Sequence, residues 1–129
     1  MAERLPDEAM SRNAGWDMYL GLYQDSKRAV PMPMTGYEAL CQFRAVEDDQ
    51  DSTLLATATI VVGTMDVNEL FTPDPDGEWL LLSLTQAQIA AVTAGEMFAD
   101  VLIKAAGSDP RRYAKFKAIV GDGESVWPT

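Results

Sequence analysis

Ala99-Asp-Val-Leu-Ile-Lys-Ala-Ala-Gly-Ser-Asp-Pro-Arg-Arg-Tyr-Ala-Lys-Phe-Lys-Ala-Ile-Val120 is the stretch on which the fold turns. Ala99, Val101, Ile103 and Ala105 alternate with Asp100, Leu102 and Lys104. This is the period of a strand with one buried face. Gly107-Ser-Asp-Pro is a turn, and Phe116, Ala118 and Val120 then alternate with Lys115 and Lys117. Two alternating runs around a short polar loop predict a β-hairpin.

Working outward, the same period recurs. Trp16, Met18, Leu20 and Leu22 alternate with Asp17, Tyr19, Gly21 and Tyr23. Val30-Pro-Met-Pro-Met-Thr-Gly follows, and its two prolines exclude a helix. In Tyr37–Ala45, Ala39, Cys41 and Phe43 share one face and Glu38, Gln42 and Arg44 the other, with Leu40 an apolar exception on the polar side. Gly36 suits a sharp entry into that strand, with Tyr37 covering the end of the fold. Glu47-Asp-Asp-Gln-Asp-Ser is a solvated loop. Leu54–Val62, rich in β-branched residues, is a further strand.

Asp66–Phe71 is ambiguous, and Thr72-Pro-Asp-Pro-Asp-Gly is a turn. Trp79–Leu84 fits a buried strand, and Val126 and Trp127 fit a last edge. Thr85 caps one short helical turn in the Ala/Gln-rich run that follows the buried strand. Residues 1–14 form an N-terminal arm with a helical turn around Asp7–Arg12, either frayed or ordered against a neighbouring subunit. The expectation is an all-β fold. It is an antiparallel, immunoglobulin-like β-sandwich of about seven short strands with one short helical turn, spanning 15–129 after the arm. There is no Cys–Trp–Cys signature of an antibody-type domain.

Composition narrows the chemistry. The 129 residues suit one domain. With no histidine, His-based acid–base catalysis, Ser–His or Cys–His nucleophiles and His-ligated metals are excluded. A single cysteine, Cys41, excludes an intrachain disulfide and a Cys-cluster zinc site, and its place on the inward face reads as a small buried hydrophobe. The formal charge of −10 disfavours sequence-independent nucleic-acid binding. The N-terminus has no apolar core of a secretory signal, and no window approaches a membrane span; the expected place of synthesis is a cytoplasm.

Glu47-Asp-Asp-Gln-Asp and Asp74-Pro-Asp-Gly-Glu could offer oxygens to Ca²⁺, but neither has the spacing of an EF-hand loop, and both read as solvated turns. Gly121-Asp-Gly-Glu has no P-loop lysine. No motif supports a glycosidase-like carboxylate pair. The expectation is a protein that is not an enzyme, with no cofactor and no metal.

Charge is unevenly spread. Val46 through Ile103 holds eleven acidic residues and no basic one; Lys104 through Lys117 holds five basic residues and one acid, Asp109. Beside the reading of a solvated face, this allows head-to-tail docking of the basic hairpin of one copy on acidic loops of the next, a heterologous contact that can close a ring. The candidate interface residues are Lys104, Arg111, Arg112, Lys115 and Lys117 for charge, with Leu40, Leu102, Tyr19, Tyr23 and Tyr113 for adhesion.

Three stretches resemble the small β-sandwich domain of tailed-phage virion proteins, of the long-tail-fibre collar or connector and baseplate type. Pro33-Met-Thr-Gly-Tyr-Glu-Ala-Leu-Cys-Gln-Phe-Arg is similar to a lead into an alternating strand ending in Arg. Leu82-Ser-Leu-Thr-Gln-Ala-Gln-Ile-Ala-Ala-Val-Thr-Ala-Gly is similar to a strand, helical turn and Ala-Gly entry. Phe98-Ala-Asp-Val-Leu-Ile-Lys with Arg112-Tyr-Ala-Lys-Phe-Lys-Ala-Ile-Val is similar to a closing hairpin. The order spans roughly 16–121; the Pro-Met before Thr35-Gly36 and the bulky Phe116 depart from the family pattern. The resemblance implies a structural virion protein assembled in the host cytoplasm. It would be a homo-oligomer, a ring or trimers, that attaches or organises tail fibres, collar or head decoration. Its partners would be itself and other virion structural proteins, without nucleic acid or membrane. The alternative is a module that binds carbohydrate or a host surface through exposed Trp and Tyr.

Overall fold

A computed structural model describes residues 3–21, 37–64 and 78–125. The Val30–Gly36 corner, Tyr23, Asp66–Phe71, the 72–77 turn and the Val126–Trp127 edge lie outside the described residues. The fold is all-β. Its strands are β1 (Glu3–Arg4), β2 (Glu8–Ser11), β3 (Trp16–Gly21), β4 (Tyr37–Arg44), β5 (Leu54–Thr57), β6 (Thr59–Thr64), β7 (Glu78–Leu84), β8 (Gly95–Ala105) and β9 (Arg111–Gly121). One helix, α1 (Gln86–Ala90), lies between β7 and β8. A six-stranded sheet runs β1-β9-β8-β4-β5, with β2 also on β9, and a three-stranded sheet runs β3-β7-β6.

The alternating residues of both sheets supply one core. Phe43, Phe116, Val101, Cys41 and Met97 come from the first sheet and Leu80, Leu82, Leu20 and Trp16 from the second. Trp16, Phe43 and Phe116 join the layers at ring separations of 5.6–6.0 Å, two pairs edge-on and one stacked. Such geometry adds to plain burial because the ring edge is positive and its face negative. The indole N–H of Trp16 donates to a Glu8 carboxylate oxygen at 3.1 Å, so burying that ring strands no donor.

Three expectations are corrected. The segment Asp7–Arg12 holds no helical turn: Glu8–Ser11 is a strand, parallel to β9 in the register Glu8↔Ala118 to Ser11↔Gly121. Leu5 and Met10 are buried, so this chain is drawn onto its own sheet, and Pro6, which has no N–H to donate, falls where the ladder is interrupted. Residues 54–62 are two strands, not one. β5 pairs with β4, and the chain then crosses at buried Ala58, whose N–H donates to Cys41 O at 2.9 Å, so that β6 pairs with β7 in the other sheet. The closing hairpin is also irregular: Val101 faces Ala114 while Leu102 faces Arg112, leaving Tyr113 as the extra residue of a bulge.

Helix α1 forms where Thr85 predicts it. The Thr85 hydroxyl accepts from Gln88 N at 3.2 Å, and the Gln88 side-chain oxygen accepts from Thr85 N at 2.8 Å, a reciprocal capping box. Five residues make too short a helix to stand alone. Thr85→Ala is therefore expected to cost about 0.5–2 kcal/mol, read as a lower urea midpoint.

Candidate functional site: the outer sheet faces and the acidic loop

On the outer face of the six-stranded sheet Leu40 and Leu102, the two apolar exceptions, lie directly opposite one another on β4 and β8. Leu40 is 41% exposed and Leu102 half-buried. Around them the face is charged or polar: Glu38 opposes Lys104 and Gln42 opposes Asp100. Two of the basic residues, Lys104 and Arg111, are exposed and make no ion pair among the described residues.

The other three candidate cations are answered within the same chain. Arg112 meets Asp48 at 3.0 Å and Asp100 at 3.1 Å. Lys115 meets Glu47 at 3.3 Å and Asp48 at 3.4 Å. Lys117 meets Glu96 at 3.3 Å and Asp7 at 3.6 Å. Arg4 on β1 adds a contact of 3.0 Å to Glu47. The acidic loop thus folds back over the basic strand of its own sheet. Opposite charge blocks in the sequence signal this attraction, but only the sheet order brings 47–48 beside 112–115.

Between loop and sheet lies an open groove of about 710 Å³ whose lining includes Phe98, Leu102, Asp100, Arg112 and the loop acids. Lys115, by hydrogen bonding, holds Glu47 and Asp48 below the usual carboxylate range; Arg4 adds to the effect on Glu47 and Arg112 to that on Asp48. Lys117 is raised, first by its hydrogen bond to Glu96 and then by Asp7. A depressed carboxylate contributes stability above its unfolded pKa and loses it as pH falls through the folded value. The acid limb of unfolding is therefore expected to flatten from about pH 5 downwards in E47Q/D48N, measured by urea midpoints across that range. In the parent the midpoint falls more steeply.

Tyr113 does not join this face. The bulge turns it against the core, and its hydroxyl donates to Gly21 O on the other sheet at 3.0 Å. Sequence alternation, counted from Lys115, misses an inserted residue of this kind. On the outer face of the three-stranded sheet Tyr19 opposes Leu81, which opposes Val61. Tyr19 and Val61 are exposed and Leu81 half-buried, so this row crosses the sheet as an apolar stripe. The sequence reading included Tyr19 but not Val61 or Leu81, whose juxtaposition depends on register.

Acids of the Glu47–Asp51 loop have partners within the chain. Glu47 and Asp48 face cations, and Asp49 accepts from Asp51 N at 3.0 Å through its side chain. Among the described residues no three carboxylates or thiolates converge. The Asp74–Glu78 candidate is outside the described side chains, as are those of Trp79 and Trp127. Trp16 is core.

Cys41 is fully buried, and desolvation, with a smaller contribution from the Asp100 charge, pushes its thiol up to about 12. Because the folded pKa is raised, the stability linked to this thiol is complete below its unfolded pKa and is lost as pH rises towards the folded value. The native protein is expected to resist iodoacetamide at neutral pH and to react only in denaturant, checked by intact-mass spectrometry.

The chain matches no protein-family model and no curated protein.

Proposed function

We propose that the protein is a structural, non-enzymatic virion component of a tailed phage. It would be oligomeric, as a ring or trimers, and attach or organise tail fibres, collar or head decoration through protein–protein contacts. The observation that carries the adhesive part of this reading is the apolar Leu40–Leu102 pair set in a charged outer face. Apolar side chains at the centre of a polar rim suit a protein interface. The order of sequence signals supplies the phage part.

The strand order supports an immunoglobulin-like assignment within that reading. The sheet β3-β7-β6 corresponds to B-E-D, and β9-β8-β4-β5 to G-F-C-C′ of a variable-type domain. Among the described residues, the cis pairing of Arg112, Lys115 and Lys117 leaves Lys104 and Arg111 as the hairpin cations without an ion pair, placed to steer assembly.

The test is the mass of the assembly by multi-angle light scattering, with antibody labelling of purified virions. An oligomer that L40D/L102D converts to monomer, and particles that bind the antibody at one structural location, support the proposal. A strictly monomeric parent protein that neither labels nor binds virions overturns it.

A further inference from the structure

The loop between β4 and β5 is built as a unit. Ser52 N and Ser52 Oγ both donate to Asp49 O, at 3.1 and 2.7 Å, and Val46 N donates to Ser52 Oγ at 3.3 Å. Its base is tied to β4: Ala45 N donates to Thr53 O at 3.1 Å, and Arg44 Nη1 donates to Ser52 O at 2.7 Å. Asp48 takes a positive φ of 57°, a conformation that Asp tolerates better than most residues. These contacts lie within the loop and at its junction with β4, and none of them involves β9.

Its attachment across the sheet is of another kind. Among the described residues no backbone hydrogen bond joins 46–51 to β1, β8 or β9. The hydrogen bonds and ion pairs that reach across are the contacts of Glu47 and Asp48 with Arg4, Arg112 and Lys115, at 3.0–3.4 Å. Glu47 and Asp48 are well exposed, with side-chain exposures of 39% and 51%, so solvent ions reach these pairs. Every element facing the loop brings charge: Arg4 from β1, Arg112 and Lys115 from β9, Asp100 from β8 and Arg44 from β4. Asp100 holds Arg112 through Nε while Asp48 meets its Nη2, so Arg112 is shared between β8 and the loop. Asp49 and Asp51 add like charge beside the latching acids.

We infer that the 45–53 loop is a salt-operated strap, hinged at its junction with β4 and β5 and latched to β1 and β9 through Glu47 and Asp48. Closed, it roofs the groove whose floor includes Phe98 and Leu102. Those two residues lie on the outer face of β8, in line with Asp100 between them, and Leu102 meets Leu40 across the strand pair. Opening the strap uncovers Phe98 as a second apolar site on this face, separated from the Leu40–Leu102 pair by Gln42 and Asp100. This holds whether or not the protein belongs to a virion.

The test places a nitroxide at position 50 by Gln50→Cys, Cys41 being buried, and follows relaxation of the Arg112–Lys115 amides by NMR. Raising NaCl from 0.1 to 1 M shortens the screening length from about 10 to about 3 Å. Because label-induced relaxation falls with the sixth power of distance, opening of the strap is expected to lower it several-fold. E47Q/D48N, and separately Lys115→Gln, are expected to show the lowered relaxation already at low salt, with the remaining amide spectrum unchanged. Relaxation that is the same at both salt concentrations overturns the strap. So does a low-salt value in both variants equal to that of the labelled parent.

Discussion

Phe43→Ala is expected to lower unfolding stability by about 3–5 kcal/mol. Phe43 is fully buried, and its ring is edge-on to both Trp16 and Phe116, at 5.8 and 5.6 Å. It therefore stands between β3 of one sheet and β9 of the other. Removing it forfeits the transfer energy of the ring and leaves a cavity that rigid neighbouring strands cannot close. Domain stabilities lie around 5–15 kcal/mol, so the change removes a large share of the whole. The measurement is urea unfolding followed by tryptophan fluorescence. Ile119→Ala is the control: Ile119 is 46% exposed on the outside of β9 and is expected to change stability by about 0.5 kcal/mol or less. A Phe43→Ala loss no larger than the control would mean that the two sheets do not share this core.

Arg12→Ala is expected to cost about 1.5–3 kcal/mol, the range for hydrogen bonds to a charged group. Arg12 joins three parts of the chain that are remote in sequence. Its Nη2 donates to Ala90 O at 2.7 Å, at the end of α1 where helix carbonyls lack partners. Its Nη1 meets Asp122 at 2.9 Å. Its own carbonyl accepts from Gln86 Nε2 at 3.0 Å, and its N–H donates to Gly121 O at 2.8 Å. Substitution by alanine keeps the two backbone contacts and removes the two from the guanidinium. Lysine carries the charge but not the planar fork, so Arg12→Lys is expected to recover only part of the loss. Hydrogen exchange distinguishes this from general destabilisation. The amides of Ala91 and Val92, which bond to Ala87 O and Ile89 O, are expected to exchange faster while those of β8 and β9 keep their relative protection. Uniform acceleration across the molecule would contradict the local role.

Legibility in the sequence followed the range of the interaction concerned. Strands β3, β4, β8 and β9 were readable because alternation is local: each side chain's face is set by its immediate neighbours. Strand β7 was readable as a short apolar run between turn signals. The start of α1 was readable because a cap is a contact over three residues, Thr85 to Gln88. The crossing at Ala58 was not, since continuous β-branched character does not show that its two halves belong to different sheets. Tyr113 was misplaced for a related reason: one bulged residue reverses the parity on which a face is assigned.

The candidate site divides in the same way. Leu40 and Leu102 were each visible as a break in polar alternation, and register made them neighbours. The basic hairpin and acidic loop were visible as charge blocks, but whether they would meet within one chain or between two copies was not a property of either block.

From the sequence alone come the all-β character, the inward sets of side chains and the absence of histidine chemistry, because composition and short periods carry them. The tertiary structure decided that residues 8–11 run parallel on β9, that Glu47 and Asp48 close over Arg112 and Lys115, and that Tyr113 turns inward. Each of these joins residues far apart along the chain. Such contacts are chosen by which sheet edge is left to cover and which charges the folded strands bring within reach.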